Sequence, residues 1–150
     1  MKRYVQKIME KLNNLLSLNN EVEEIYSEVE EKVSDVSLKN FFKERALERH
    51  EFSELIKLEI ENLGETPEPK SIQSKRFYKT KMKVRNLVFS DNELDLLDEV
   101  FNLKQETIDN YNDVLMQPHL PLKLCKLLVK QRDNVQSTMR VLKREAAFVA

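Results

Sequence analysis

One glycine and four prolines punctuate this 150-residue chain, and they fall in only two places: Gly64, Pro67 and Pro69 near the middle, and Pro118 and Pro121 nearer the end. These are the residues that interrupt helices most strongly. The stretches between them can run as long helices, and in each of them apolar residues recur three and four apart. Four helices are predicted. The first runs roughly from Arg3 to Val33, with Val5, Ile8, Leu12, Leu15, Val22, Tyr26, Val29 and Val33 on one stripe. The second, after a turn at 34–37, runs from about Leu38 to Leu63 and carries Phe41, Phe42, Phe52, Ile56 and Ile60. Gly64 suits the left-handed residue that closes a helix, and the prolines after it forbid continuation.

The third helix starts at Ser90-Asp91-Asn92-Glu93, a capping-box sequence, and carries Leu94, Leu97, Phe101, Ile108, Tyr111 and Leu115 as far as Pro118. The fourth begins near Pro121, which suits a first turn, and continues through Leu124, Leu128, Val135, Met139 and Leu142 to about Arg144. Short turns make each sequential pair antiparallel, while about 26 residues separate the pairs. A helix of about 26 residues is about 39 Å long, so the expected fold is an all-α four-helix bundle, two antiparallel hairpins joined by one long crossover. Ile72, Phe77, Val84, Leu87 and Val88 space a short fifth helix within the crossover.

Length and composition fit a single domain over 1–150. The formal net charge of −1 gives no global pull toward nucleic acid or membrane, so any such attraction must be local. Cys125 is the only cysteine, which excludes an internal disulfide and a cysteine-rich zinc site; its spacing with Leu128 and Val135 predicts a core side chain. No apolar run of signal-peptide or transmembrane length is present, and a cytoplasmic location is expected.

The run Leu38-Lys39-Asn40-Phe41-Phe42-Lys43-Glu44-Arg45-Ala46-Leu47-Glu48-Arg49-His50-Glu51-Phe52, preceded by Glu23-Glu24-Ile25-Tyr26, resembles a bacterial family of ferritin-like four-helix bundles catalogued as a domain of unknown function. The resemblance extends through Gly64, the Tyr111 region and the Pro118 to Pro121 turn. It implies a ferritin-like fold and a stress or stationary-phase role.

Ferritin-like catalysis uses two metals held by a Glu from each of two helices and a Glu-x-x-His from each of the other two. Residues three apart share a helix face, so a carboxylate and an imidazole can reach one metal. The first helix offers Glu23 and the second Glu48 and Glu51, with a carboxylate where a histidine belongs. His50 is out of step, and the residue three before it is Leu47. By the resemblance, the third helix should carry a glutamate seven residues before Tyr111, but Lys104 stands there. The fourth has no histidine at all, so Glu23, Glu48 and Glu51 are expected to be vestigial, with no cofactor and no metal bound.

Cations stand where metals would sit: Arg45, Arg49 and Lys104 near inward faces, with Gln131 and Arg132 close by. An inter-helix charge network of Glu23, Arg45, Glu48, Arg49, Lys104 and Arg132 is the corresponding expectation. Elsewhere, seven basic residues lie between 70 and 85 with no acid (Lys70, Lys75, Arg76, Lys79, Lys81, Lys83 and Arg85), with Phe77 and Tyr78 interleaved. Seven acids lie between Glu21 and Asp35. The basic segment could follow a phosphate backbone, but docking on an acidic helix of the same chain or of a second copy is the reading favoured here. His119, between prolines, is expected to be a solvated or capping residue.

The favoured function is a non-enzymatic ferritin-like structural or interaction protein with a degenerate di-metal site, acting as a homo-oligomer (a dimer) or with a protein partner. The alternatives are a carboxylate-rich metal-binding oxidase or iron-handling protein using Glu23, Glu48 and Glu51, and a nucleic-acid or envelope-associated stress factor acting through residues 70–85.

Overall fold

The computed structural model describes residues 3–149 apart from 71, 73 and 90–92; the side chains of 89, 93, 139 and 141–149 are outside that description. Five helices follow in order: α1 (Arg3–Lys32), α2 (Val36–Asn62), α3 (Lys75–Phe89), α4 (Glu93–Leu115) and α5 (Leu122–Val149). α1 and α2 make one hairpin and α4 and α5 the other, and α3 is the fifth helix of the crossover.

Local chemistry sets the ends. The Asp35 carboxylate accepts the Leu38 amide at 2.8 Å, so α2 begins at Val36, two residues before the position predicted from periodicity. At its far end Gly64 adopts φ 84°; its amide donates to the Glu61 carbonyl at 2.9 Å and the next amide, of Glu65, to the Ile60 carbonyl at 3.3 Å. That pair of bonds satisfies two carbonyls the helix would otherwise leave open. The second reversal is made without glycine: His119 takes φ 63° between the prolines, and its ring packs on Tyr4 with centroids 4.5 Å apart. The capping box expected at Ser90 and the buried Met139 and Leu142 lie outside the described residues.

α1 packs against α2, α3 and α4, and α5 against α4. The apolar core is divided into two. One half gathers Val22, Ile25, Tyr26 and Val29 of α1 with Phe42 and Ala46 of α2, Phe77, Val84 and Val88 of α3, and Leu96, Val100 and Leu103 of α4. The other gathers Ile8, Leu12 and Leu15 of α1 with Ile56 and Ile60 of α2, Tyr111 and Val114 of α4, and Leu124 and Leu128 of α5.

Two expectations require correction. On α4 the buried positions are Leu96, Leu97, Val100, Leu103, Thr107, Tyr111 and Val114; Leu94 is exposed, and Phe101, Ile108 and Leu115 are half-buried. α4 is flanked by α1, α3 and α5, so its buried face is broad, and a threonine at the inward position 107 breaks the apolar stripe. On α5, Leu124 takes the inward position, which leaves Cys125 half-exposed instead of in the core.

Candidate functional site

Between the two apolar halves, each bundle helix turns a polar side chain inward: Asn19 on α1, Arg49 on α2, Thr107 and Tyr111 on α4, and Gln131 on α5, all buried. The positions continue the helical stripes. Asn19 lies four residues after Leu15 and seven after Leu12, Arg49 follows Phe42 and Ala46, and Gln131 lies three residues after Leu128. The packing of their neighbours therefore drives these polar groups into the centre, where each must find a partner.

The partners are one another. The Arg49 guanidinium donates to the Asn19 side-chain carbonyl at 2.9 Å and to the Thr107 hydroxyl at 3.0 Å. The Asn19 amide donates to the Leu15 carbonyl at 3.2 Å and to the Tyr111 hydroxyl at 3.1 Å. Tyr111 passes its proton donor to Gln131 at 2.7 Å, and the Gln131 amide reaches the Phe52 carbonyl at 3.5 Å. Thr107 donates to its own helix, at the Leu103 carbonyl, 2.8 Å away. One chain of hydrogen bonds thus joins all four bundle helices. Burial raises the Tyr111 phenol well above its ordinary range, partly opposed by the Arg49 charge and the Asn19 bond, so the hydroxyl remains a donor to Gln131.

Arg49 is 1% exposed, and both of its acceptors are neutral. Glu48, the carboxylate whose charge it feels, makes its ion pair with Arg45 instead, at 3.8 Å. Burial raises the Glu48 carboxyl above the usual range, while Arg45 and then Arg49 pull it down and Glu51 pushes it up. Tyr26 lies beside the same cluster: burial raises its phenol, and the charges of Arg49, Glu48 and Arg45 all bear on it.

The six residues expected to form one charge network are not gathered. Arg45, Glu48 and Arg49 come together, all from α2. Glu23 lies at the bundle edge, 3.3 Å from His50. Arg132 donates to Asn112 at 2.9 Å and contacts Asp133 at 3.4 Å, bridging α5 to α4 near the surface. Lys104 is half-buried one step round the helix from the inward Leu103, because the α4 stripe is rotated from the predicted one. Glu51 is exposed. Asn19 and Thr107, which the periodicity argument passed over, were visible as polar gaps in otherwise apolar stripes.

Those placements do not fit a di-metal centre. Metals of that kind need several deprotonated oxygen or nitrogen donors converging on one point. Among the described residues no three His, Cys, Asp or Glu side chains converge in that way. What occupies the centre is a guanidinium, which repels a cation.

The basic segment is spent differently. α3 buries Phe77, Thr80, Val84 and Val88. Around them Lys81 meets Glu21 at 2.8 Å and Arg85 forks onto Glu28 at 2.9 and 3.0 Å, both on α1. Arg76 meets Glu106 at 3.3 Å and Asp109 at 3.6 Å, and Lys83 meets Glu99 at 3.8 Å, all on α4. Arg85 holds the Glu28 carboxyl below the usual range. Lys75 and Lys79 face outward with Tyr78. A polar recess of about 370 Å³ opens where the crossover passes α1 and α4, lined in part by Glu10, Asn14, Lys70, Ser74 and Glu106.

Among the described residues no helix is long and apolar enough to cross a membrane. No protein of curated function matches the chain. A solved structure described as "ferritin like, diiron-carboxylate proteins" from Bacillus anthracis str. Ames superposes with a TM-score of 0.67 at 22% identity, covering 97% of this chain and 99% of that one. The fold is therefore that of a ferritin-like helical bundle. Residues 7–117 match the model of the family described as Domain of unknown function (DUF2383), so the chain belongs to that family.

Proposed function

We propose that this protein is a non-enzymatic structural or interaction member of the ferritin-like fold, in which a hydrogen-bonded guanidinium has taken over the layer that metal ligands would occupy. The observation that carries the reading is Arg49, buried at the centre and held by Asn19 and Thr107 from two other helices. A cation fixed there by packing opposes binding of a second cation, and the acids that remain are turned elsewhere: Glu23 toward His50, Glu48 toward Arg45, Glu51 toward solvent.

A protein partner or a second copy suits this reading better than nucleic acid. Four of the basic residues on α3 are paired with acids of the same chain, and an ion-paired side chain is a poor phosphate ligand.

Protein purified after growth in iron- or manganese-supplemented medium is expected to carry well below one metal ion per chain by elemental analysis. Stoichiometric metal together with peroxide-dependent turnover would overturn the reading.

A further inference from the structure

We propose that Arg45, Arg49 and Tyr26 hold a single chloride-sized anion at the centre of the bundle. The inference rests on the functional reading above and deepens it: a layer that cannot take a cation has the composition to take an anion.

Three observations carry it. The first is charge. Arg45 and Arg49 lie four residues apart on one face of α2; Arg45 meets Glu44 at 3.7 Å and Glu48 at 3.8 Å, whereas the more deeply buried Arg49 has only the neutral acceptors Asn19 and Thr107, so its charge is matched by no carboxylate in direct contact. An uncompensated guanidinium in an apolar interior is costly, and a nearby anion relieves that cost.

The second is the state of the donors. The Tyr26 hydroxyl and the Arg45 Nε are buried and have no hydrogen-bond partner among the described residues. Tyr26 is 1% exposed; the charges of Arg49 and Arg45 bear on its hydroxyl, and the Arg49 guanidinium approaches it as a donor, which leaves the hydroxyl's own proton without an acceptor. Buried donors are satisfied in folded proteins with few exceptions, so two of them beside the Arg49 charge ask for an acceptor.

The third is the wall. Tyr26 is fixed by Phe42, with ring centroids 5.6 Å apart, and Arg45 lies over Phe41 at 5.4 Å. Val22, Ala46 and Leu103 of the same apolar half are also buried. The neighbouring donors of Asn19 and Thr107 are already engaged within the protein, which leaves none for the extra oxygens of a polyatomic oxyanion and favours a monatomic one.

Bromide is the probe, because it replaces chloride and scatters anomalously. Crystals of the full chain grown in bromide are expected to show one buried bromide within hydrogen-bonding distance of Tyr26 Oη and Arg45 Nε. In solution, exchanging gluconate for bromide at constant ionic strength is expected to raise Tm by roughly 3–5 °C for each tenfold increase above the dissociation constant. Tyr26→Phe removes a hydroxyl whose proton has no acceptor in the protein and keeps the ring, so the variant should fold and lose much of the bromide response, while Lys79→Gln on the surface keeps it. A water at the position, or equal Tm in bromide and gluconate, overturns the proposal. Iron- and manganese-edge data from the same crystals separate the two readings. A metal peak defeats the functional assignment, whereas absence of both metal and bromide defeats only the anion site.

Discussion

Arg49 and Thr107 meet at 3.0 Å across the interface between the two hairpins, a guanidinium and a hydroxyl both removed from solvent. With Asn19–Tyr111 and Gln131–Phe52 it links the hairpins through buried polar groups, and it sits where the apolar core divides. Truncating Arg49 removes a large buried side chain and leaves the Asn19 carbonyl without its donor. Arg49→Ala is expected to cost about 3–5 kcal/mol in urea denaturation. Arg49→Met, which refills most of the volume and carries no charge, should cost less. Equal losses for the two would show that charge and volume do not contribute as argued.

Tyr111 both accepts from Asn19 and donates to Gln131. Tyr111→Phe keeps the ring and strands both partners, so a loss of about 1–3 kcal/mol is expected. A Tyr111→Phe protein as stable as the wild type would mean that Asn19 and Gln131 satisfy each other by moving together.

The attachment of α3 should depend on salt and on acid. Arg85 lowers the Glu28 carboxyl, so the stabilisation from that pair is full above the ordinary carboxylate pKa and is lost as pH falls through the lowered folded value. Both side chains are about a third exposed, which keeps the contribution of the pair modest, on the order of 1 kcal/mol or less. Hydrogen exchange of the Phe77 to Val88 amides is expected to quicken in high salt and below about pH 4, more than exchange at α1. Arg85→Glu should produce the same change at neutral pH and low salt. Uniform exchange across all helices under these conditions would show that apolar packing alone holds α3.

Glu48 should give the opposite pH dependence. Burial raises its carboxyl, against the pull of Arg45 and Arg49, with Glu51 adding to the rise; Tyr26 of α1 and Asn134 of α5 also face it. The protonated form is favoured in the folded state, so its contribution is full below the unfolded carboxylate pKa and is lost as pH rises through the raised value. Glu48→Gln is expected to become more stable relative to wild type as pH rises above about 4.3, measured by urea melts through that range. Identical pH profiles would leave Glu48 unperturbed.

At Gly64 the backbone has φ 84° and an added Cβ would meet nothing within 4 Å. Gly64→Ala should therefore cost only about 1 kcal/mol, from backbone conformation and not from collision. A loss several times larger would overturn the argument that a side chain is sterically tolerated at this position.

Helix number and hairpin topology were legible because glycine and proline leave so few places to turn. The bundle centre was legible only in part. Arg49 stood out as a cation on an inward face, but Asn19 and Thr107 read as interruptions of apolar stripes, and an argument built on apolar spacing discards interruptions. On α4 the same threonine displaced the apparent stripe, and Lys104 was carried inward with it. Ion pairs such as Arg85 with Glu28 were foreshadowed by the segregation of charge, but their register depends on how α3 lies on α1, which no local pattern encodes.

The polar layer also constrains assembly of the hairpins. Sliding α4 by one turn, about 5.4 Å, would set Arg49 opposite aliphatic Leu103 in one direction and Asn19 opposite Leu115 in the other. Either slip leaves a polar group facing hydrocarbon, whereas the leucine and valine rows above and below would accept the displacement with far less loss. A row of interchangeable apolar contacts makes the hairpins stick; the five polar side chains act as a key that admits one alignment.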